Sequence, residues 1–230
     1  MSKIGITERG DAALNLTWIP FIEHNPAVLI SKDPVKLFNV ISNLPKIPNI
    51  IVHCTITGLG YSDLEPNVPK LEDSIEGYNK LIEFLGSERV VLRIDPIIPT
   101  KEGVEKAKKV LAHAKTRVRI SFLDNYEHVK ARFKLAQIKP LDYYFHAPLN
   151  TRELFYNELK AIYSEIEVCG EPGFEDVGCI SELDAKILGV TSNKTSSCQR
   201  KSCNCISNKF ELLTARSQCY HKCLYCYWKS

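Results

Sequence analysis

The chain has 230 residues, of which 44% are hydrophobic and 25% are charged, a composition typical of a globular protein with one sizeable domain. No apolar stretch approaches the ~20 residues that span a bilayer, and residues 1–9 lack the form of a signal peptide. We therefore expect a cytoplasmic protein without a membrane partner. The formal net charge of +3 is too small to argue for a nucleic-acid partner by itself.

Short β-branched runs alternate with amphipathic helical patterns. Strands are predicted near residues 3–7, 27–30, 49–56, 90–94, 118–123, 143–147, 165–168 and 210–215. Helices are predicted at residues 33–43, 72–85, 101–114, 126–136, 151–164 and 181–188. The region between the first two strands is short, so one outer helix is expected to be reduced.

This alternation of β and α units favours a parallel sheet with helices outside it. The predicted fold is an α/β, TIM-like (β/α) barrel, complete or partial. The whole chain, residues 1–230, is predicted to be one domain, with a cysteine-rich loop at about residues 191–208.

The most informative motif ends four residues before the C-terminus and contains Cys219, Cys223 and Cys226, with Tyr225 just before the third cysteine. Thiolates with this spacing can bind three irons of a [4Fe–4S] cluster and leave the fourth iron open to a small molecule. The motif is similar to the CxxxCxxC loop of radical SAM enzymes, whose open iron binds S-adenosylmethionine (SAM). The alternative is a zinc site in which His221 joins the three thiolates.

The remaining cysteines suggest a second metal site. Eight of the nine cysteines fall between residues 169 and 226, and an odd number without an export signal argues against a disulfide scaffold. The second group consists of Cys169, Cys179, Cys203 and Cys205. Four thiolates complete a closed [4Fe–4S] or zinc site, whereas the alternative is a set of buried, inert thiols. Cys198 is either a fifth member or free, and Cys54 is interpreted as a core residue.

Polar residues at predicted strand ends are candidates for binding SAM or substrate, because barrel sites lie at the carboxyl ends of strands. Arg93 and Asp95 could pair with the SAM carboxylate and a ribose hydroxyl, or they could form a structural ion pair. The Gly58 backbone could approach a nucleotide closely, and Tyr225 is predicted to pack over the cluster or beside the adenine. The other strand-end candidates are Thr55, Thr57, Lys32, Asp124 and His146.

Several segments follow one another in a characteristic order, at residues 55–60 (TITGLG), 64–69 (LEPNVP), 93–97 (RIDPI), 120–124 (ISFLD), 200–205 (RKSCNC) and 219–228. In these segments the chain resembles a family of radical-SAM-like proteins from bacteria and phages that carry the cysteine motif at the C-terminus. The N-terminus departs from the family pattern of a doubled arginine before an Asp, since only Arg9 and Asp11 match it. The resemblance implies a circularly permuted radical SAM barrel whose first strand comes from the C-terminus.

Motif and resemblance together predict a radical SAM enzyme. Its [4Fe–4S] cluster would cleave SAM to a 5′-deoxyadenosyl radical that abstracts hydrogen from a substrate, with electrons from a reductase or a flavodoxin- or ferredoxin-type donor. Nucleic acid remains a candidate substrate, because DNA-lesion lyases are radical SAM relatives. The alternative is a non-catalytic zinc- or Fe–S-stabilised module that binds nucleic acid or protein.

Overall fold

A computed structural model describes residues 3–191, 203–213 and 219–228. Its strands are β1 (Ile4–Ile6), β2 (Ala27–Ser31), β3 (Ile50–Thr55), β4 (Val90–Ile97), β5 (Val118–Phe122), β6 (Ile166–Val168) and β7 (Lys209–Glu211). Its α-helices are α1 (Ile19–Ile22), α2 (Pro34–Ser42), α3 (Leu71–Leu85), α4 (Lys101–Leu111), α5 (Glu127–Leu135), α6 (Leu149–Lys160) and α7 (Glu182–Ile187). Within the described ranges, none of these helices has the length and apolar character that crossing a membrane requires.

All seven strands belong to one parallel sheet, in the order β6-β5-β4-β3-β2-β1-β7. The last strand of the chain therefore pairs with the first, and Gly5 of β1 lies opposite Phe210 of β7. In the described part of the chain the sheet is open, with β6 and β7 at its two edges. The predicted α/β class is confirmed.

Helices cover one face of the sheet. Alternate strand residues such as Leu29 and Leu92 are fully buried there, against Leu37 of α2, Leu81 of α3 and Val110 of α4. Successive strand residues point to opposite faces, so this pattern leaves the residues between them for the other side of the sheet. Burying these side chains supplies the main hydrophobic stabilisation of the fold.

The opposite face is covered without long helices. Ile30 of β2 and Val91 of β4 pack there with Ile180, Leu188 and Ile206, which belong to the segments around α7 and before β7. The same cluster contains the four cysteines predicted as a second metal site. The two faces thus differ in what covers them, helices on one and cysteine-bearing segments on the other.

The strand predicted at residues 143–147 is wrong, because this stretch forms a series of bends. Asn125 takes the place of a neighbouring strand: its side-chain Nδ2 donates to the Tyr143 carbonyl (2.7 Å) and its backbone N–H donates to the Phe145 carbonyl (2.8 Å). Tyr144 is 87% exposed, so the apolar run is not a core strand. The expected reduction of one outer helix is confirmed, since α1 has only four residues.

Candidate functional site at the carboxyl edge of the sheet

The carboxyl edge of the sheet brings the predicted strand-end residues together. Lys32 follows β2, Thr57 follows β3, and Asp95 lies in the last part of β4. The cysteine motif reaches the same edge, because the Leu224 N–H donates to the Leu64 carbonyl at 3.0 Å. The carboxyl ends of parallel strands are where α/β proteins place their sites.

Lys32 lies at the centre of this edge. Its Nζ donates to Glu65 Oε1 (2.7 Å) and to the Tyr225 hydroxyl (2.9 Å), and that hydroxyl also donates to Glu65. Thr57 Oγ1 donates to the second oxygen of the fully buried Glu65 at 2.6 Å. Burial lowers the pKa of Lys32, but the charges of Glu65 and Cys223 outweigh burial and hold that pKa above its ordinary value. A charged lysine is therefore held beside the cysteine loop.

His221, inside the cysteine motif, has protein partners at both ring nitrogens. Nε2 lies 2.8 Å from Asp11 Oδ2, and Nδ1 lies 3.1 Å from the Asn67 carbonyl oxygen. Asp11 also accepts hydrogen bonds from the Lys32 N–H and the Ser31 hydroxyl, each at 2.7 Å. Burial lowers the pKa of His221, yet its hydrogen bond with Asp11 and the charge of Asp11 outweigh that effect and raise the pKa. In this geometry His221 anchors the loop and is not turned toward a metal.

The three cysteines of the motif come from one loop that is only partly buried. Cys223 is 9% exposed, whereas Cys219 and Cys226 are half-buried. Burial raises the pKa of Cys219 to about 11 and that of Cys223 to about 12, so a metal must displace their protons to bind at neutral pH. In the described ranges, no three His, Cys, Asp or Glu side chains already surround an ion position. The fit to a [4Fe–4S] cluster therefore rests on the chemistry of three thiols from one loop.

Arg93 and Asp95 form an ion pair with each other. The Arg93 guanidinium also donates to Thr55 Oγ1 at 3.5 Å. The structural ion pair that the sequence allowed is thus present, and the contacts of these residues with SAM remain a prediction. Gly58 has φ +73°, and a Cβ there would lie 3.1 Å from the Lys106 carbonyl of α4, so close packing already accounts for this glycine.

A histidine–carboxylate pair adjoins the cysteine loop. His146 Nδ1 lies 2.7 Å from Asp124 Oδ1; the histidine side chain is 32% exposed and that of Asp124 is buried. The Asp124 N–H donates to the Tyr227 hydroxyl at 2.8 Å, which links the pair to the motif. This geometry places an imidazole at the rim of the candidate site.

The cysteines of the second group lie close together, and their binding of a metal remains a prediction. The Cys169 and Cys179 sulfurs are 3.6 Å apart, and the Cys203 and Cys205 sulfurs are 3.0 Å apart. The Cys179 N–H donates to Cys205 Sγ at 3.0 Å, which joins the two pairs. Cys198 lies outside the described residues, whereas Cys54 is buried in the helix-covered core, as predicted.

Sequence reasoning missed two of the groups that organise this edge. Glu65 lies in a segment that carries the family resemblance, but nothing in a lone loop carboxylate signals complete burial against Lys32. The pair of Asp11 with His221 joins residues 210 positions apart. No local pattern reports such a contact.

A family model described as a domain of unknown function (DUF1848) matches residues 23–228. The match extends from the residues before β2 through the end of the cysteine motif, and so covers both groups of cysteines. No curated protein shows significant similarity to the chain.

Proposed function

We propose that this chain, which belongs to the DUF1848 family, is a radical SAM enzyme built on a partial, circularly permuted (β/α) barrel. The observation that carries the proposal is the cysteine loop itself. Cys219, Cys223 and Cys226 lie at the carboxyl edge of a parallel sheet, and His221 is occupied by Asp11 and Asn67 instead of completing a four-ligand site. A loop that offers three thiols, with His221 already bonded elsewhere, suits a cluster that keeps one coordination position open.

The order of strands supports the permuted barrel. In the sheet β7 comes first and β1 to β6 follow in chain order. The motif follows β7 along the chain, after residues 212–218, so it comes after the first strand of the sheet, as in the radical SAM enzymes that the motif resembles. Moving that strand to the end of the chain is compatible with the same fold, because domain termini commonly lie close together at the surface and circular permutation is tolerated.

Cys219, Cys223 and Cys226 would hold a [4Fe–4S] cluster, which would supply the one-electron reduction needed for cleavage of SAM. The chain's own residues hold and orient the reactants. Lys32 places a positive charge beside Cys223, which favours the thiolate form of that ligand. Buried Glu65 fixes Lys32 and Tyr225, so this edge is preorganised before SAM arrives.

Arg93 and Asp95 would bind the SAM carboxylate and a ribose hydroxyl after giving up part of their mutual ion pair. The His146–Asp124 pair lies at the rim, where it could exchange a proton with a substrate. Electrons would come from a reductase or a flavodoxin- or ferredoxin-type protein. Because the cofactor performs the difficult bond cleavage, the protein's tasks are orientation and exclusion of water.

The test is the formation of 5′-deoxyadenosine. The full chain is purified without oxygen, reconstituted with iron and sulfide, reduced, mixed with SAM and assayed by mass spectrometry. Cys223→Ala removes one motif thiol, and Cys54→Ala is the matched control because Cys54 is a buried thiol of the helix-covered core. We expect product from the wild type and Cys54→Ala but not from Cys223→Ala. No product from wild-type protein carrying a complete cluster would instead favour the non-catalytic metal-stabilised module.

A further inference from the structure

Four thiols from three chain segments meet on the sheet face that lacks long helices. Cys169 is the first residue after β6, Cys179 follows ten positions later, and Cys203 and Cys205 precede β7. Each is at most 8% exposed. Inert core thiols are expected singly among aliphatic side chains, as Cys54 is. Here every sulfur has another cysteine as a neighbour.

The separations between the sulfurs indicate what they can bind. A tetrahedral ion with metal–sulfur bonds of about 2.3 Å places its sulfur ligands about 3.8 Å apart. The observed separations are 3.6 Å for Cys169 and Cys179 and 3.0 Å for Cys203 and Cys205. The sulfurs therefore contact one another and do not yet surround an ion, in keeping with the absence of a preformed site in the described residues. Within these two pairs, the sulfurs would have to separate by about 0.2 Å and 0.8 Å to reach the spacing of that tetrahedron.

The cysteine ligands of a [4Fe–4S] cluster bind four different irons, so the inorganic core holds their sulfurs farther apart than a single ion does. We propose that Cys169, Cys179, Cys203 and Cys205 bind one tetrahedral metal ion, and that this ion is Zn²⁺. Four thiolates close the coordination shell, which makes the site structural. This site shares no ligand with the cysteine motif.

Buried cations surround the thiols. The fully buried Arg119 donates from Nη1 to the Cys179 carbonyl at 2.9 Å. The hydrogen bond with Cys179 and burial raise the pKa of the Cys169 thiol, while the charges of Arg119 and Arg93 oppose that rise. Zinc with four thiolates carries a net charge of −2, which is costly to bury without compensation. The charges of Arg119 and Arg93 offset part of it, while Arg119 is also paired with Glu167 and Asp184 and Arg93 with Asp95.

Glu8 and Lys209 complete the surroundings. The Cys179 thiol donates to Glu8 Oε1 at 3.3 Å, and Lys209 Nζ lies 3.2 Å from Glu8 Oε2. Lys209 is also close enough to Cys205 for their charges to interact. When the ion binds, the four thiol protons leave to solvent and four metal–sulfur bonds form. Glu8 then keeps Lys209 as its partner.

The backbone around the site is adapted to this close approach. Gly178 has φ +73°, and a Cβ there would lie 2.5 Å from the Cys205 nitrogen, so a side chain at residue 178 would push the two segments apart. Asp176 joins the same segments, because Oδ1 accepts from the Gly170 N–H (2.7 Å) and Oδ2 from the Asn204 N–H (2.9 Å). The segments are thus held together by more than the thiols.

The proposed ion would link the chain segments next to the two outermost strands of the open sheet. Cys169 follows the edge strand β6, whereas Cys203 and Cys205 precede the opposite edge strand β7. A cross-link between segments so distant along the chain restricts the unfolded state and stabilises the fold. Because β7 leads into the cysteine motif, the ion would also hold the strand that carries the motif.

The test is to measure the metal content of the full chain and of three variants by inductively coupled plasma mass spectrometry. Cys205→Ala removes one proposed ligand, a combined Cys219→Ala, Cys223→Ala, Cys226→Ala variant removes the motif, and Cys54→Ala is the control. We expect about one zinc ion per chain in every protein except Cys205→Ala, which should retain less than a tenth of that amount. Zinc that is lost with the motif and kept in Cys205→Ala would overturn the proposal, as would about four irons without zinc in the motif variant.

If Cys205→Ala does not fold, X-ray absorption at the zinc edge of the wild-type protein identifies the ligand atoms of the ion. Four sulfur neighbours at about 2.3 Å are expected, and nitrogen or oxygen neighbours would contradict the four-thiol site. The outcome is separable from that of the proposed function. Zinc that survives in the motif variant supports this site even if the wild type makes no 5′-deoxyadenosine.

Discussion

The two groups of cysteines lie in different surroundings. Cys169, Cys179, Cys203 and Cys205 come from three segments, are at most 8% exposed and contact one another. The motif cysteines come from one loop, and two of the three are half-buried. Residue type explains why both groups suit soft metals. The number of converging segments and their exposure determine whether a site is closed or keeps a position open.

The charges beside the two groups differ as well. Arg93 and Arg119 act on the four-thiol group, which suits a buried site with excess negative charge. Lys32 lies beside the motif, but it is already paired with Glu65. The motif thus lies beside a lysine that Glu65 already holds in place. The four-thiol group lies near two arginines whose positive charge opposes its own negative charge.

The largest expected effects distinguish the two groups of cysteines, because one substitution should abolish activity and the other should reduce stability. Cys219→Ala should reduce SAM cleavage to the background rate with little change in the thermal midpoint, because Cys219 is half-buried in a single loop. Cys179→Ala should instead lower the free energy of unfolding by several kcal/mol through loss of the structural ion, as removal of a metal or core group commonly does. Assays of 5′-deoxyadenosine and thermal unfolding check both. Equal losses of activity and stability in both variants would break the comparison.

The next effect concerns the polar neighbour of the motif. Glu65→Gln leaves the largely buried Lys32 without its charged partner, so the free energy of unfolding should fall by about 3 kcal/mol. The control is Glu76→Gln, which breaks an exposed i,i+4 pair with Lys80 and should cost about 0.3–0.5 kcal/mol. Urea unfolding measures both changes. A cost for Glu65→Gln no larger than that of the control would show that Lys32 does not need the carboxylate.

Two glycines with similar φ angles can test how tightly the segments that carry the four thiols pack. Gly178→Ala, at φ +73°, would place Cβ 2.5 Å from the Cys205 nitrogen, and we expect a loss of about 2–3 kcal/mol with lower zinc content. Gly189→Ala, at φ +69° with nothing within 4 Å, should cost about 1 kcal/mol, from backbone strain alone. Unfolding curves and metal analysis of both variants provide the check. Equal costs would mean that the segments can separate freely.

The smallest expected effect is a dependence of the free energy of unfolding on pH, and it comes from one buried histidine. His53 is fully buried and, among the residues that the structure describes, has no hydrogen-bond partner at either ring nitrogen. The charges of Arg119, Asp184, Arg93 and Arg117 act on it. Burial lowers the pKa of His53 well below its ordinary value, with Arg119 adding to the shift. The unfolded chain binds a proton as the pH falls through about 6.5 and the folded chain does not, so stability is lost toward acid pH.

His53→Leu should remove this contribution. Between about pH 7 and pH 5.5, the fall in the free energy of unfolding should be smaller than in the wild type by up to about 1.4 kcal/mol per pH unit. Urea unfolding at the two pH values measures the difference. Identical pH dependence in the two proteins would mean that His53 does not stay neutral in the folded state.

Local features were predictable because they depend on residues close together in sequence. Apolar runs such as residues 50–52 and 90–92 form strands as expected, and the α/β class follows from their alternation with amphipathic helices. The stretch at 143–147 shows the limit of that reasoning. Its apolar residues look like a strand, but the decisive contact is with Asn125 on another segment, which occupies the backbone carbonyls.

The sequence by itself determined the α/β class and the positions of the cysteines, since both are written in local composition and spacing. It left open whether Cys169, Cys179, Cys203 and Cys205 would meet, and whether His221 would face a metal. Only the tertiary structure brought two pairs of these sulfurs to 3.6 Å and 3.0 Å and paired His221 with Asp11, 210 residues away. The physical reason is that such contacts depend on where distant segments come together in the sheet, and no local pattern of residues encodes that meeting point.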